Sequence, residues 1–116
     1  MNIIQFYEAI GSNYEAVLNR LGSGTMIKRF VRKFNDDPSF SELTQGFEEK
    51  DAEKAFRAAH TLKGVCMNLG FERLYLPATA LTEELRGRTF SAQSEELYLS
   101  VKKEYQALID ALAELD

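Results

Sequence analysis

Apolar residues recur along this chain at helical spacing, and no segment alternates between apolar and polar residues as a strand would. Short helices are predicted over residues 2–10 and 13–21, followed by a helix over residues 25–34 with an i, i+3, i+4, i+7 apolar stripe. Asp37 and Pro38 are then the predicted N-cap and first position of a further short helix. The first part of the chain is therefore expected to be helical throughout.

Three longer helical segments follow. Asp51 is the predicted N-cap of a helix that runs to about Leu69, where Gly70 is a typical helix-ending residue. The next helix is expected to stop at Gly87, and Ser91 is the predicted cap of the last one. The stripes of these last two helices are Leu74, Ala78, Leu81 and Leu85, and Leu97, Val101, Leu108, Leu112 and Leu115.

Pro77 conflicts with the helical pattern around it. A proline inside a helix removes one backbone hydrogen bond and clashes with the carbonyl four residues earlier. Either the helix kinks at Pro77, or residues 71–76 form a looser turn and the regular helix begins near Pro77.

Short connections between long helices favour antiparallel neighbours. We therefore predict an all-α fold, an up-and-down antiparallel four-helix bundle with additional short N-terminal helices. A length of 116 residues suits one domain, so residues 1–116 are expected to form a single domain.

Composition and charge narrow the possible functions. The chain has 45% hydrophobic and 28% charged residues, no apolar run long enough for a membrane span and no signal-peptide pattern. Its single cysteine suits a reducing compartment, and its net charge of −4 argues against nucleic acid as the main partner. We expect a cytoplasmic protein that binds neither membranes nor nucleic acid, and a monomer, since no second long coiled seam is present.

The helix that follows Asp51 carries the only histidine, His60. At about 100° per residue, a stripe of small and apolar side chains gathers roughly 140–260° away from His60, so His60 is predicted to be exposed on the outer face. An ordinary solvated histidine is the alternative interpretation. The stripe consists of Ala55, Ala58, Ala59, Leu62, Val65, Cys66 and Leu69.

Two neighbours of His60 favour a functional interpretation. Glycine inside a helix costs about 1 kcal/mol relative to alanine, and Gly64 lies one turn after His60 on the same face. Its missing side chain would let a partner approach the imidazole, although glycine also occurs where helices cross tightly. Lys63 shares this face and can donate a charge-assisted hydrogen bond to an anionic group on the ring, although many such pairs have no function.

Phe56 and Met67 fall within about 40° of His60 on the predicted outer face. They either form an apolar docking collar around the histidine or extend into grooves beside neighbouring helices. With Arg57 on the same face, Phe56 and Met67 form the candidate docking face for a partner.

Other classes of site receive little support. His60 lies in no motif for nucleophilic catalysis, and Cys66 lies on the opposite helix face, which disfavours a shared metal site. A basic cluster is best interpreted as a solvated helix face, although it could instead contact an acidic partner. This cluster consists of Lys28, Arg29, Arg32 and Lys33.

Residues 59–64, Ala-His-Thr-Leu-Lys-Gly, followed by Asn-Leu-Gly at 68–70, resemble the His-x-x-Lys-Gly signature of histidine-containing phosphotransfer domains. The resemblance extends upstream through residues 13–23 and 30–34 and downstream to residue 86, and Pro77 departs from the usual leucine- and alanine-rich continuation. It implies a four-helix bundle that accepts a phosphoryl group on His60, with Lys63 supporting that group and Gly64 admitting the partner.

The resemblance also implies a role as a phosphorelay intermediate in two-component signalling. His60 would accept phosphoryl from a receiver-domain aspartate or a hybrid histidine kinase and pass it to another receiver domain. Such a protein is a carrier rather than an enzyme and needs no cofactor of its own, because Mg²⁺ is expected on the partner receiver. The alternative is a non-phosphorylated helical-bundle adaptor that binds and modulates a two-component kinase or receiver.

Overall fold

The computed structural model describes all 116 residues and contains seven α-helices and no strand. The predicted all-α fold class is therefore confirmed, and no helix is long and apolar enough to cross a bilayer. The helices are α1 (Ile3–Ala9), α2 (Tyr14–Leu21), α3 (Gly24–Phe34), α4 (Ser39–Glu48), α5 (Ala52–Leu69), α6 (Glu72–Glu84) and α7 (Ala92–Leu112).

The ends of the long helices follow local sequence signals. The side chain of Asp51 accepts a hydrogen bond from the backbone N–H of Lys54, which confirms Asp51 as the N-cap of α5. Ser91 and Ser94 exchange side-chain and backbone hydrogen bonds at the start of α7. Gly70 ends α5 with a left-handed φ of 72°, as the sequence predicts.

The start of α4 differs by one residue from the prediction. The helix begins at Ser39, and Pro38 occupies the N-cap position rather than the first helical position. Asp37 still satisfies an early amide, because its carboxylate accepts the backbone N–H of Ser39 at 2.9 Å. The capping chemistry is present, but it acts from just outside the helix.

Pro77 lies inside α6, which begins at Glu72, so the looser-turn alternative is wrong. The proline has no N–H to donate to the carbonyl of Arg73, and the helix therefore lacks one hydrogen bond in its second turn. The bonds on either side keep the segment helical.

The end of α6 also departs from expectation. The helix stops at Glu84, with Leu85 as its cap, before it reaches Gly87. The left-handed residue after the helix is Arg88, with a φ of 60°.

Consecutive helices pack against one another, α4 on α5, α5 on α6 and α6 on α7, while α3 contacts α5 and α1 contacts α7. The stripe predicted opposite His60 faces this core. Val65 is half-buried, and the other six members are at most 4% exposed. These six are Ala55, Ala58, Ala59, Leu62, Cys66 and Leu69.

Gly46 marks a very close approach of α4 to α5. A Cβ atom placed on Gly46 would lie 2.7 Å from the backbone nitrogen and 2.8 Å from the Cα of Ala55. Because real side chains do not come this close to backbone, glycine is what allows the two helices to pack here. Nothing in the sequence around Gly46 indicates this close approach.

The N-terminal helices hold the end of α5. The Tyr7 hydroxyl donates to the carbonyl oxygen of Leu69 at 2.6 Å, and burial raises the pKa of that hydroxyl. The Arg20 guanidinium donates to the carbonyl oxygens of Met67 and Asn68 at 3.0 and 2.9 Å. Carbonyls in the last turn of a helix have no partners within it, so α1 and α2 satisfy these three and fix the end of α5.

Candidate functional site

His60 lies midway along α5 with its side chain exposed to solvent. Its neighbour Ala59 is fully buried, so the orientation of the imidazole follows from the register of the buried stripe. Neither ring nitrogen has a hydrogen-bond partner, since no side chain of α5 after Arg57 donates or accepts a hydrogen bond. The imidazole is therefore free to react with a group brought by another molecule.

Lys63 is partly exposed beside His60, and its ammonium forms no ion pair in the structure. The carboxylate of Glu83, on α6, faces this part of the surface. A hydrogen bond from Arg86, followed by the charge of Arg86, lowers the pKa of Glu83, and the charges of Lys63 and His60 act in the same direction. Since Arg86 already holds Glu83, the ammonium of Lys63 remains available to another anion.

Gly64 is exposed, and a Cβ atom placed on it would meet no other group within 4 Å. A tight helix crossing would bring neighbouring atoms into that space, as occurs at Gly46, so this alternative explanation for Gly64 is wrong. The surface one turn after His60 is open.

The assignment of Phe56 to the exposed docking face is wrong, and the alternative interpretation, a side chain that extends into a groove beside a neighbouring helix, agrees with its burial. The residue is only 9% exposed, because the guanidinium carbons of Arg88 and Arg86 lie 3.8 and 5.5 Å from its ring centroid. A large side chain at this position reaches the groove beside α5, where apolar burial and cation–π attraction stabilise it. Its ring centroid is still only 6.1 Å from that of His60.

Arg57 and Met67, the other two residues of the candidate docking face, are exposed. The side chain of Arg57 is 76% exposed while its Nε donates to the carboxylate of Glu53 at 2.8 Å. Met67 is 59% exposed, a large apolar side chain left on the surface. The structure thus places these two side chains on either side of His60 along α5.

Two arginines lie near His60 that helical periodicity around the histidine does not predict. Arg88 pairs with Glu53, which also pairs with Arg57, and the hydrogen bond from Arg88 is the main reason that the pKa of Glu53 is lowered. Arg86 contacts Glu83 through two hydrogen bonds of 2.8 and 3.1 Å. Both arginines lie in the turn after α6. Because they are far from His60 in the sequence, the sequence alone does not indicate that they lie near it.

Cys66 is separated from His60 by the body of α5. It is fully buried in the stripe, and burial raises the pKa of its thiol to about 12. The structure contains no group of three or more His, Cys, Asp or Glu side chains that could hold a metal ion. The chemistry visible at the site is that of one exposed imidazole beside a free ammonium.

A comparison with protein families agrees with this geometry. The model of the Hpt domain matches residues 26–115, which contain α4 to α7 and nearly all of α3. The chain belongs to the Hpt domain family. Hpt domains are phosphocarrier modules rather than enzymes, and they work with receiver and kinase domains in two-component phosphorelays. No curated protein and no solved structure matches the chain.

The open space at Gly64 predicts opposite effects of alanine at two helical glycines. Gly64→Ala should raise the free energy of unfolding by about 0.5–1 kcal/mol, because alanine favours the helix and meets no neighbour. Gly46→Ala should lower it by about 1–3 kcal/mol, because the new methyl group collides with the backbone of Ala55. Urea unfolding measures both, and a destabilised Gly64→Ala variant would contradict the open surface.

Proposed function

We propose that this Hpt domain accepts a phosphoryl group on a ring nitrogen of His60 and passes it on. The donor would be the phosphorylated aspartate of a receiver domain, or a hybrid histidine kinase, and the acceptor another receiver domain. The observation that carries the proposal is an exposed, unpaired imidazole next to the open surface at Gly64.

The chemistry needs one nucleophile from this chain. The lone pair of a neutral imidazole nitrogen attacks phosphorus, the N–P bond forms, and the P–O bond to the aspartate breaks as the carboxylate leaves. In the onward step a carboxylate attacks phosphorus and the imidazole leaves. Mg²⁺ held by the receiver offsets the charge on the transferring group, so the contribution of this chain is mainly positioning.

Lys63 is the proposed support for the phosphoryl group. A phosphoryl group carries nearly two negative charges at neutral pH, and a nearby ammonium stabilises it through a charge-assisted hydrogen bond. Lys63 lies three residues after His60 on the same face of α5. Its ammonium forms no ion pair that would have to break before it binds the phosphoryl group.

Gly64 is the proposed point of approach. In-line transfer requires the partner's aspartate and its surrounding surface to come within contact distance of an imidazole that stays on its helix. A side chain one turn along would stand between the two surfaces. The structure supports this role because the space above Gly64 is empty.

The first test is the variant His60→Gln. Receiver domains from a panel, phosphorylated with radiolabelled acetyl phosphate and Mg²⁺, should label the wild-type protein with acid-labile, alkali-stable phosphate. Label on His60→Gln should fall to background, while its melting temperature stays unchanged because His60 is exposed and makes no hydrogen bond. Retained labelling would reject the assignment, and a wild-type protein that binds receivers without taking label would be an adaptor.

The second test is Gly64→Leu, which should fold normally but accept phosphoryl from the same receivers at least about tenfold more slowly, because the added side chain obstructs their approach. Ser100→Leu is the matched control, since it adds the same side chain to an exposed position on α7. Equal transfer rates for the two variants would show that the partner does not approach over Gly64.

A further inference from the structure

We propose that Arg57, Arg86 and Arg88 form a cationic platform beside His60 that binds the acidic surface around the reactive aspartate of a receiver domain. This inference rests on the proposed function and names residues that select and orient the partner. The platform replaces the apolar collar that the sequence suggests on this side of the histidine.

Arg88 is held in place rather than left free on the surface. Its guanidinium stacks over the ring of Phe56 with its central carbon 3.8 Å from the ring centroid, and it donates to the carboxylate of Glu53 and the carbonyl oxygen of Arg86. Its backbone φ of 60° lies in the left-handed region, which a residue with a side chain adopts at a conformational cost. Such strain persists where surrounding contacts over-determine it, and it is common at functional sites.

The platform lies next to the reactive imidazole. Phe56 is one turn before His60, and their ring centroids are 6.1 Å apart, so the arginines stacked on Phe56 flank the histidine. Arg57 is three residues before His60, about 4.5 Å along the helix axis. A typical protein interface buries about 800 Å² on each partner, so any domain that reaches His60 also covers the platform.

The charge of this region is opposite to that of the whole chain. The platform and Lys63 carry four positive charges against the carboxylates of Glu53 and Glu83, whereas the chain has a net charge of −4. The side chains of the three arginines are 76%, 55% and 42% exposed, so their charges reach the surface. The structure thus has a locally positive surface at the site where the partner must dock.

A receiver domain suits this surface by its chemistry. A site that holds an aspartyl phosphate and Mg²⁺ is built from carboxylate and phosphoryl oxygens, so its rim is anionic. Opposite charges on two approaching surfaces raise the association rate and fix the relative orientation.

The surface around His60 is apolar at the end away from the platform, so its two ends differ in chemistry. Met67 is exposed on α5, and Leu76 is 68% exposed on α6, two turns before Glu83 and on the same helix face. We expect the acidic part of the receiver over the platform and its apolar part over Met67 and Leu76.

The test compares Arg88→Glu with Lys103→Glu, which makes the same charge change at an exposed position on α7. Second-order rate constants of transfer from phosphorylated receiver domains are measured over a range of NaCl concentrations. Arg88→Glu should be about tenfold slower at low salt, and the difference should shrink towards 1 M salt, where the Debye length is about 3 Å. Lys103→Glu should stay within about twofold of the wild-type protein.

Arg57→Glu is a second platform variant that leaves the cover over Phe56 in place, so it should show the same salt dependence even if Arg88→Glu is unstable. Equal rates for the platform variants and Lys103→Glu would overturn this inference while leaving His60 as the acceptor. A change in the oligomeric state of the chain alone would assign the platform to a second copy and also overturn it. If neither the receivers nor phosphoramidate, a small phosphoryl donor, label His60 in the wild-type protein, the proposed function itself fails.

Discussion

The close packing of one side of α5 is the constraint on which the site depends. Six small or apolar residues of this helix are almost completely buried, and at Gly46 the backbone of α4 comes so close that no side chain would fit between the helices. Any rotation of α5 about its axis would expose this stripe and separate the close-packed surfaces. Because side chains are about 100° apart around a helix, the buried stripe determines that His60 faces outward.

The same constraint explains which features could be predicted from the sequence. The N-caps Asp51 and Ser91, the left-handed Gly70 and the stripe itself depend on nearby residues and on helical periodicity, and the structure confirms them. Pro77 was ambiguous because the hydrogen bonds of its neighbours, rather than its own propensity, decide whether the helix continues through it.

Features that depend on the relative placement of distant segments were missed. Helical periodicity gives the direction in which a side chain leaves the helix but not the position of its far end. The sequence therefore leaves two alternatives for Phe56, an exposed docking face or a groove beside a neighbouring helix, and the structure shows a buried side chain. The guanidinium groups of Arg86 and Arg88 lie over the Phe56 ring. Both arginines lie in the turn after α6, far from Phe56 in the sequence. Gly46 was missed for the same reason, since its importance depends on how closely α4 approaches Ala55.

Three features of the site are relevant to the carrier role of Hpt domains. The imidazole of His60 is unpaired, Lys63 forms no ion pair while Glu83 pairs with Arg86, and the surface at Gly64 is open although alanine would stabilise the helix. In the proposed relay, the partner provides the metal ion and most of the charge stabilisation, while this chain provides a nucleophile on a rigid helix. The cationic platform and the exposed apolar residues would then decide how the partner is oriented.

Nuclear magnetic resonance of the phosphorylated protein tests the central claim most directly. The chain is labelled with ¹⁵N in its single histidine, incubated with a phosphorylated receiver domain and Mg²⁺, and separated from the receiver before phosphorus spectra are recorded. We expect one phosphorus signal that is split by a one-bond coupling to a ring nitrogen of His60. A signal without this coupling, or phosphate that stays on the receiver, would contradict it.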